Sequence, residues 1–292
     1  MYIHKPVLLN EILTYFSYIK GKIFVDATIG EGGHSYYICK LLKPALLIGI
    51  DLDKEILQKA KNRLKGFPDV ILVNSNYINL KEILKKYKIT KVDGILFDLG
   101  ASMYHFKESM RGFSLKQDEI LDMRFGDTSL TAKDIINNYS YTQLIKIFKE
   151  YGEERKAEKI VKFILDYRKK KRIETTFELK EIIKKAIPYR KGKIDPATRI
   201  FQALRIAVND EFNNIKKGIE GAIDVLNSGG RLCVITFHSG EDRIVKNIFK
   251  KAKETGKIKV LTSKVICPKK EEVKVNPSAR SAKLRVCEKA QA

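Results

Sequence analysis

At 292 residues, 44% of them hydrophobic, the chain is long enough for one large α/β domain or a domain carrying a sizeable insertion, and it reads as an ordinary globular protein. Its 57 Lys and Arg against 35 Asp and Glu leave a net charge of +22. That balance favours a polyanionic partner, nucleic acid first and an anionic membrane surface second, with a Lys-rich composition of no binding role as the bland alternative. Cys39, Cys233, Cys267 and Cys287 form no C-x-x-C pair and have no His at zinc-finger spacing, so neither a disulfide framework nor a structural metal is indicated. Pro6 and Glu11 interrupt the N-terminal apolar stretch and no uncharged apolar run approaches ~20 residues, so neither a signal peptide nor a membrane span is expected, and the cytoplasm is the expected location.

Residues 23 to 110 alternate β-branched runs (IFVDAT, ALLIGIDLD, VILVN, VDGILFDLG) with helical stretches, a pattern that predicts a parallel, doubly wound, Rossmann-like sheet. From about Phe106 the strand pattern stops, and roughly a hundred residues read as helical periodicity alone, an inserted or second domain. Within it, Ala157, Ile160, Val161, Ile164 and Leu165 share one stripe, Thr175 with Glu178 makes a capping box, and Asp195 with Pro196 opens another helix. Strand signals return at Arg231–Phe237 after the turn Asn227-Ser228-Gly229-Gly230, and Ile258–Thr262 and Leu284–Val286 complete the predicted sheet.

Three clusters sit at predicted strand ends. In DATIGEGGHS (Asp26 to Ser35), Gly30, Gly32 and Gly33 let backbone approach a nucleotide-like ligand, and Asp51 closes the second strand where a carboxylate accepts ribose hydroxyls. These features suit a nicotinamide enzyme and a methyltransferase alike, and a plain strand-to-helix turn is the simpler reading of the glycines. Asp98, in DLGAS after the fourth strand, faces the switch point where open sheets bind ligands, or else caps the next helix. FHSGEDR (Phe237 to Arg243) brings His238, Glu241 and Arg243 to the same edge, although a lone histidine is more often structural than a base.

Turning by about 100° per residue, the helix from Pro196 places Ile200, Ala203, Leu204 and Ala207 on one side and Arg199, Gln202, Arg205 and Asn209 on the other. The polar side suits phosphate and base contacts, or a solvated salt-bridging face. Residues 151 to 200 carry 16 Lys or Arg against 8 Asp or Glu, including RKKKR (Arg168 to Arg172) and YRKGK from Tyr189, runs that are solvated or hold an RNA backbone.

Read in order, HKPVLLNEIL, DATIGEGGHS, GIDLD, DGILFDLGAS, MRGFSLKQDEILDMRF, YGEERKAEKI, DPATRIFQALRIAVNDE, GGRLCVITFHSGEDRIVK and SARSAKLRV resemble the bacterial ribosomal RNA small-subunit methyltransferase H family, also called MraW, nearly end to end. The resemblance implies a class I S-adenosylmethionine methyltransferase core with a helical domain inserted after the fourth strand. It divides the chain into a first core part (1–105), an inserted substrate-recognition domain (106–210) and a second core part (211–292). It further implies methylation of N4 of a decoding-centre cytidine in 16S rRNA, with the small ribosomal subunit as partner. By this similarity the cofactor contacts fall on Gly32, Gly33, His34, Asp51, Tyr77, Asp98 and His105, beside Gly30 from the turn. Asp98 is the expected acceptor that polarises N4, with His238, Glu241 and Arg243 framing the base or its phosphate. Tyr77 stands where the family commonly has Phe, His105 where many members have Gln, Gly240 for Leu and Ser278 for Arg. Two other readings are a non-catalytic RNA-binding ribosome assembly factor and a nicotinamide-dependent oxidoreductase.

Overall fold

The computed structural model describes residues 6–19, 23–188 and 195–291. Seven strands make one sheet: β1 (Ile23–Asp26), β2 (Leu46–Asp51), β3 (Val70–Asn74), β4 (Val92–Asp98), β5 (Leu226–Thr236), β6 (Ile258–Val260) and β7 (Lys283–Lys289). Their order is β3-β2-β1-β4-β5-β7-β6. The pairs from β3 to β5 are parallel, with Val25 opposite both Ile48 and Ile95, while β7 runs antiparallel to β5 and β6. This is the expected Rossmann-like core.

The strands are apolar on both faces because both faces are covered. On one, Ile12, Phe16, Ile38, Leu57 and Leu64 pack with Phe24, Leu47, Leu96 and Ile235. On the other, Leu80, Ile83, Ile219, Ile223 and Phe249 pack with Ile48, Ile95, Phe97 and Val234. Each such fully buried side chain contributes about 1.5–3 kcal/mol of transfer free energy, which holds the strand ends, and the loops they carry, in fixed register. The fifth strand begins earlier than its apolar run suggests. Leu226 pairs with Val92 and Arg231 with Gly94, so the predicted turn residues 227–230 are looped out inside β5, with Gly229 at φ 76°.

The chain divides into two compact units, residues 1–100 with 212–292, and residues 101–211, against the boundaries of 105/106 and 210/211 expected from the sequence. The second unit has its own core, in which Phe148, Ile160, Ile164, Leu179, Ile183, Ile200 and Leu204 are buried. Its helices include Tyr141–Glu150, Ala157–Arg168, Thr176–Ala186 and Pro196–Asn209. Thr175 and Glu178 form the predicted capping box, and the Asp195 carboxylate accepts from Ala197 N.

One stretch departs from the expectation of helix throughout. Between the short helix Met103–Lys107 and the helix Ala132–Asn138 the chain follows an irregular path. Polar bonds to buried groups hold it: Gly112 N donates to Glu119 Oε2 at 2.7 Å, Glu119 N to Thr176 Oγ1 at 3.0 Å and Met123 N to Arg111 O at 2.7 Å. Met110 and Met123 adopt positive φ, which no helix allows.

Candidate active site at the strand ends

The carboxyl ends of β1, β2 and β4 carry the glycine turn, Asp51 and Asp98 within the first unit. After β1 the chain turns through Gly30 (φ 54°) and Gly32 (φ 76°) into the helix Gly33–Leu42, and a Cβ on Gly32 would lie 3.3 Å from Leu64 Cδ1. Left-handed backbone packed this closely leaves glycine as the fitting residue, and the turn presents its backbone to the space above the sheet. Asp51 Oδ2 accepts from Gly30 N at 2.9 Å and Oδ1 from Asp53 N at 3.0 Å, so the carboxylate is oriented by the turn itself. Tyr77 opens the turn after β3, its half-buried ring edge-on to Phe97 at 5.3 Å.

Asp98 ends β4, and its backbone N donates to Thr28 Oγ1 at 2.6 Å, which ties it to the glycine turn. Its helix-capping alternative is taken by Ser102, the N-cap of Met103–Lys107, in a capping box with His105. Asp98 Oδ1 is buried and accepts no hydrogen bond from any described residue. Burial, and then the charge of Glu241, push the carboxyl up to about 7. His34 donates Nε2–H to Val7 O at 2.9 Å and turns Nδ1 to 3.6 Å from Asp98 Oδ2, and burial lowers the His34 pKa.

Two residues with no role assigned from sequence alone, Asp26 and Ser35, bracket the same turn. The Ser35 hydroxyl donates to Asp26 Oδ2 at 2.6 Å in a buried pair. Burial raises the Asp26 carboxyl to about 6, with the Ser35 bond opposing it. A carboxylate directly before the glycine turn, nine residues from a hydroxyl, was the available signal.

The FHSGEDR cluster, expected to frame the target base or its phosphate, makes the bonds of a helix start. His238 is the N-cap of the helix Ser239–Glu254: its Nδ1 accepts from Glu241 N at 3.4 Å, and Glu241 Oε2 accepts from Phe237 N at 2.8 Å. His238 Nε2 lies 3.0 Å from Glu241 Oε1. The hydrogen bonds therefore describe the structural reading of His238, with Glu241 fully buried as its partner and as the negative charge felt by Asp98. Arg243 is exposed in the first turn of that helix. At Gly240 a Cβ would meet Phe212 Cζ at 2.5 Å, which accounts for glycine at this position.

In the second unit, the face read as Arg199, Gln202, Arg205 and Asn209 is partly spent on internal bonds. Arg205 pairs with Glu211 through two bonds of 2.8 and 2.9 Å. Asn209 is buried, donating to Met123 O and Arg205 O and accepting from Phe125 N. Asn209 is fixed there because the irregular stretch needs partners for its backbone. Arg199 is exposed and lies 3.5 Å from Glu154, and Gln202 is half-buried. His105 is buried with its ring 4.9 Å from Phe113 and 4.8 Å from Phe125, inside an aromatic cluster of this unit. Of the RKKKR run, Arg168 donates to Ile136 O and Tyr139 O, and Lys169, Lys171 and Arg172 each approach a carboxylate. The YRKGK run lies outside the described residues. Ser278 donates its hydroxyl to Asn276 Oδ1.

A family model described as the MraW methylase family matches residues 1–290. The chain belongs to the MraW methylase family. It is 50% identical to the ribosomal RNA small subunit methyltransferase H of Sulfurihydrogenibium sp., over 97% of this chain and 98% of that one. The enzyme of the same name from Persephonella marina is 47% identical (98% and 99% covered), and that from Dictyoglomus thermophilum 49% identical (98% and 97% covered). Among solved structures, an rRNA methylase from Streptococcus thermophilus aligns over 99% of both chains at 12% identity and a TM-score of 0.49, too loose a likeness to carry chemistry. As a methylase of this family the protein uses S-adenosylmethionine as methyl donor. The glycine turn, Asp51 and the unpartnered Asp98 Oδ1 fit that group. Among the described residues no helix is long and apolar enough to cross a membrane, and no His, Cys, Asp and Glu cluster is arranged to hold a metal.

Proposed function

We propose that the protein methylates the N4 amino group of one cytidine in the decoding centre of 16S rRNA, acting on the small ribosomal subunit in the cytoplasm. The observation that carries this reading is Asp98: a carboxyl at the end of β4, tied to the glycine turn, with a buried oxygen that accepts nothing from the described residues. In the proposed site Gly30, Gly32, Gly33, His34, Asp51 and Tyr77 hold S-adenosylmethionine. Bound there, it would supply an electrophilic methyl carbon and leave as the neutral thioether as its sulfur–methyl bond breaks. The N4 lone pair of cytosine is delocalised into its ring, so the amino group needs an acceptor; the Asp98 carboxylate accepts an N4–H, frees the lone pair toward the methyl carbon and takes the proton as the C–N bond forms. His238 and Glu241 hold the end of β5 in place, and Arg243 offers a cation to a phosphate near the base. The 101–211 unit recognises the RNA, with Arg199 and Gln202 as contacts and Arg205 and Asn209 shaping the surface that carries them. His105, inside the aromatic cluster of that unit, supports its fold.

The test is transfer of labelled methyl from S-adenosylmethionine to small subunits that lack the modification, followed by nucleoside analysis. N4-methylcytidine at a single site is expected. Methylation at another atom removes the N4 assignment, and tight RNA binding with no transfer favours an assembly factor. Thermal stabilisation by S-adenosylmethionine and not by NAD is expected from the same site, and the reverse would support an oxidoreductase.

A further inference from the structure

The peptide unit joining Val7 to Leu8 is held at both ends. Its N–H donates to Glu272 Oε1 at 2.7 Å, from a residue 264 positions away, and its carbonyl accepts the His34 Nε2–H at 2.9 Å. Because the unit is planar and trans, the two bonds point in opposite directions and place Glu272 and His34 on either side of one rigid group. The other ring nitrogen of His34, Nδ1, lies 3.6 Å from Asp98 Oδ2. Glu272, the Val7–Leu8 peptide, His34 and Asp98 thus form one line of contacts, all inside the unit made of residues 1–100 and 212–292.

The corner at Leu8 needs such support. Leu8 is fully buried and left-handed at φ 54°, a conformation that a bulky side chain keeps only where its surroundings impose it. Glu272 supplies one constraint from the helix Lys270–Val275, and the segment after that helix is anchored by Ala279 and Ala282 in the core that also buries Leu8. Pro6 extends the corner onto the glycine turn, where a Cβ on Gly33 would lie 3.1 Å from Pro6 Cγ.

We propose that Glu272 is a positioning residue for methyl transfer: acting through the Val7–Leu8 peptide, it fixes the tautomer of His34 so that a lone pair, and not an N–H, faces Asp98. The inference rests on Asp98 as the N4–H acceptor and adds a residue that governs it. A carboxylate on the peptide N–H polarises the group and makes its carbonyl a stronger acceptor. That bond keeps the proton on Nε2, since the hydrogen bond at one ring nitrogen decides which nitrogen is protonated. With Nδ1 unprotonated, Asp98 gains no donor from His34 and stays basic enough to take a proton. An Nδ1–H would stabilise the carboxylate and weaken it as a base. Asp26 faces both groups, Glu241 faces Asp98 and Arg63 stands beside Gly33. All three are unchanged in the variants below, so a shifted pH profile reports Glu272.

The tautomer is read directly from the imidazole nitrogens of 15N-labelled protein by NMR at pH 8; the chain has four histidines, and His34→Gln assigns the signal. Wild-type His34 is expected with its proton on Nε2. Glu272→Gln keeps an acceptor for Leu8 N and should keep that tautomer and the wild-type pH profile of single-turnover methyl transfer. Glu272→Ala should show protonation at Nδ1 as well, a rate profile whose midpoint moves below about 7, and a plateau lower by about ten-fold. A merely structural tie at the start of the helix Leu9–Ser17 would lower Tm in Glu272→Ala and leave tautomer and midpoint unchanged. That result overturns the positioning role and leaves Asp98 standing. A proton on Nδ1 in the wild-type protein overturns it as well, and needs no variant to fold. A wild-type rate that is flat from pH 6 to 8.5 removes Asp98 as acceptor, and the positioning role with it.

Discussion

His34 donates Nε2–H to the Val7 carbonyl at 2.9 Å and thereby presents the Nδ1 lone pair to Asp98 Oδ2, 3.6 Å away. The ring is buried and its pKa lowered, so the contact joins a neutral imidazole to a carboxyl and supplies no cation to keep Asp98 ionised. That arrangement is consistent with an Asp98 carboxyl held near 7.

In the proposed mechanism, methyl transfer requires the ionised form of Asp98 as acceptor. The single-turnover rate should therefore rise with pH through about 7 and level off above it. Asp98→Asn and Asp98→Ala should each lower the rate by at least about 100-fold with S-adenosylmethionine still bound. A rate independent of pH between 6 and 8.5, or near-normal turnover in Asp98→Asn, would remove Asp98 from the mechanism.

The same carboxyl makes stability depend on pH in a defined direction. Its pKa rises on folding from the ordinary 3.8 to about 7, so between those values the native state binds more protons than the unfolded chain. Stability from this group is full below the unfolded pKa and is lost as pH rises toward 7. Asp98→Asn, which removes the charge, should raise Tm at pH 8 by on the order of 3 °C and change it little at pH 4. Equal effects at both pH values would contradict the assigned shift.

Gly240 faces Phe212, whose Cζ would lie 2.5 Å from an added Cβ. Gly240→Leu, which installs the commoner family residue, should destabilise the protein by about 1–3 kcal/mol through overpacking. Phe212→Ala in the same chain should recover most of that loss. A double-mutant cycle by denaturant unfolding measures the coupling, and additive effects would show that the two positions do not compete for space.

Asn209 joins Met123 O, Arg205 O and Phe125 N within the 101–211 unit. Asn209→Leu leaves buried backbone groups of the irregular stretch without partners and should cost about 2 kcal/mol in urea unfolding. A neutral substitution would show that the stretch finds water or other partners instead.

Much of the fold was legible in local pattern. The four β-branched runs before residue 100, the capping box at Thr175 and Glu178, and the cap at Asp195 each follow from side chains acting on their own backbone or on one face of one element. The irregular path between residues 108 and 131 was not legible, because its bonds run to Thr176 and Asn209, more than 50 residues away. For the same reason Asn209 and Arg205 looked like surface donors on a helical wheel, whereas a wheel holds no record of Met123 or Glu211.

The parallel strands before residue 100, the glycine turn beside Asp51 and the likeness that implies a methyl donor were all legible in residue type and short spacing. Tertiary structure decided which polar groups at the strand ends are already engaged. His238 and Glu241 form a capping box at a helix start, and Asp98 keeps a buried oxygen with no described donor. That difference arises from burial and from partners brought together across the sheet, and neither desolvation nor a long-range hydrogen bond is a property of a residue's place in the chain.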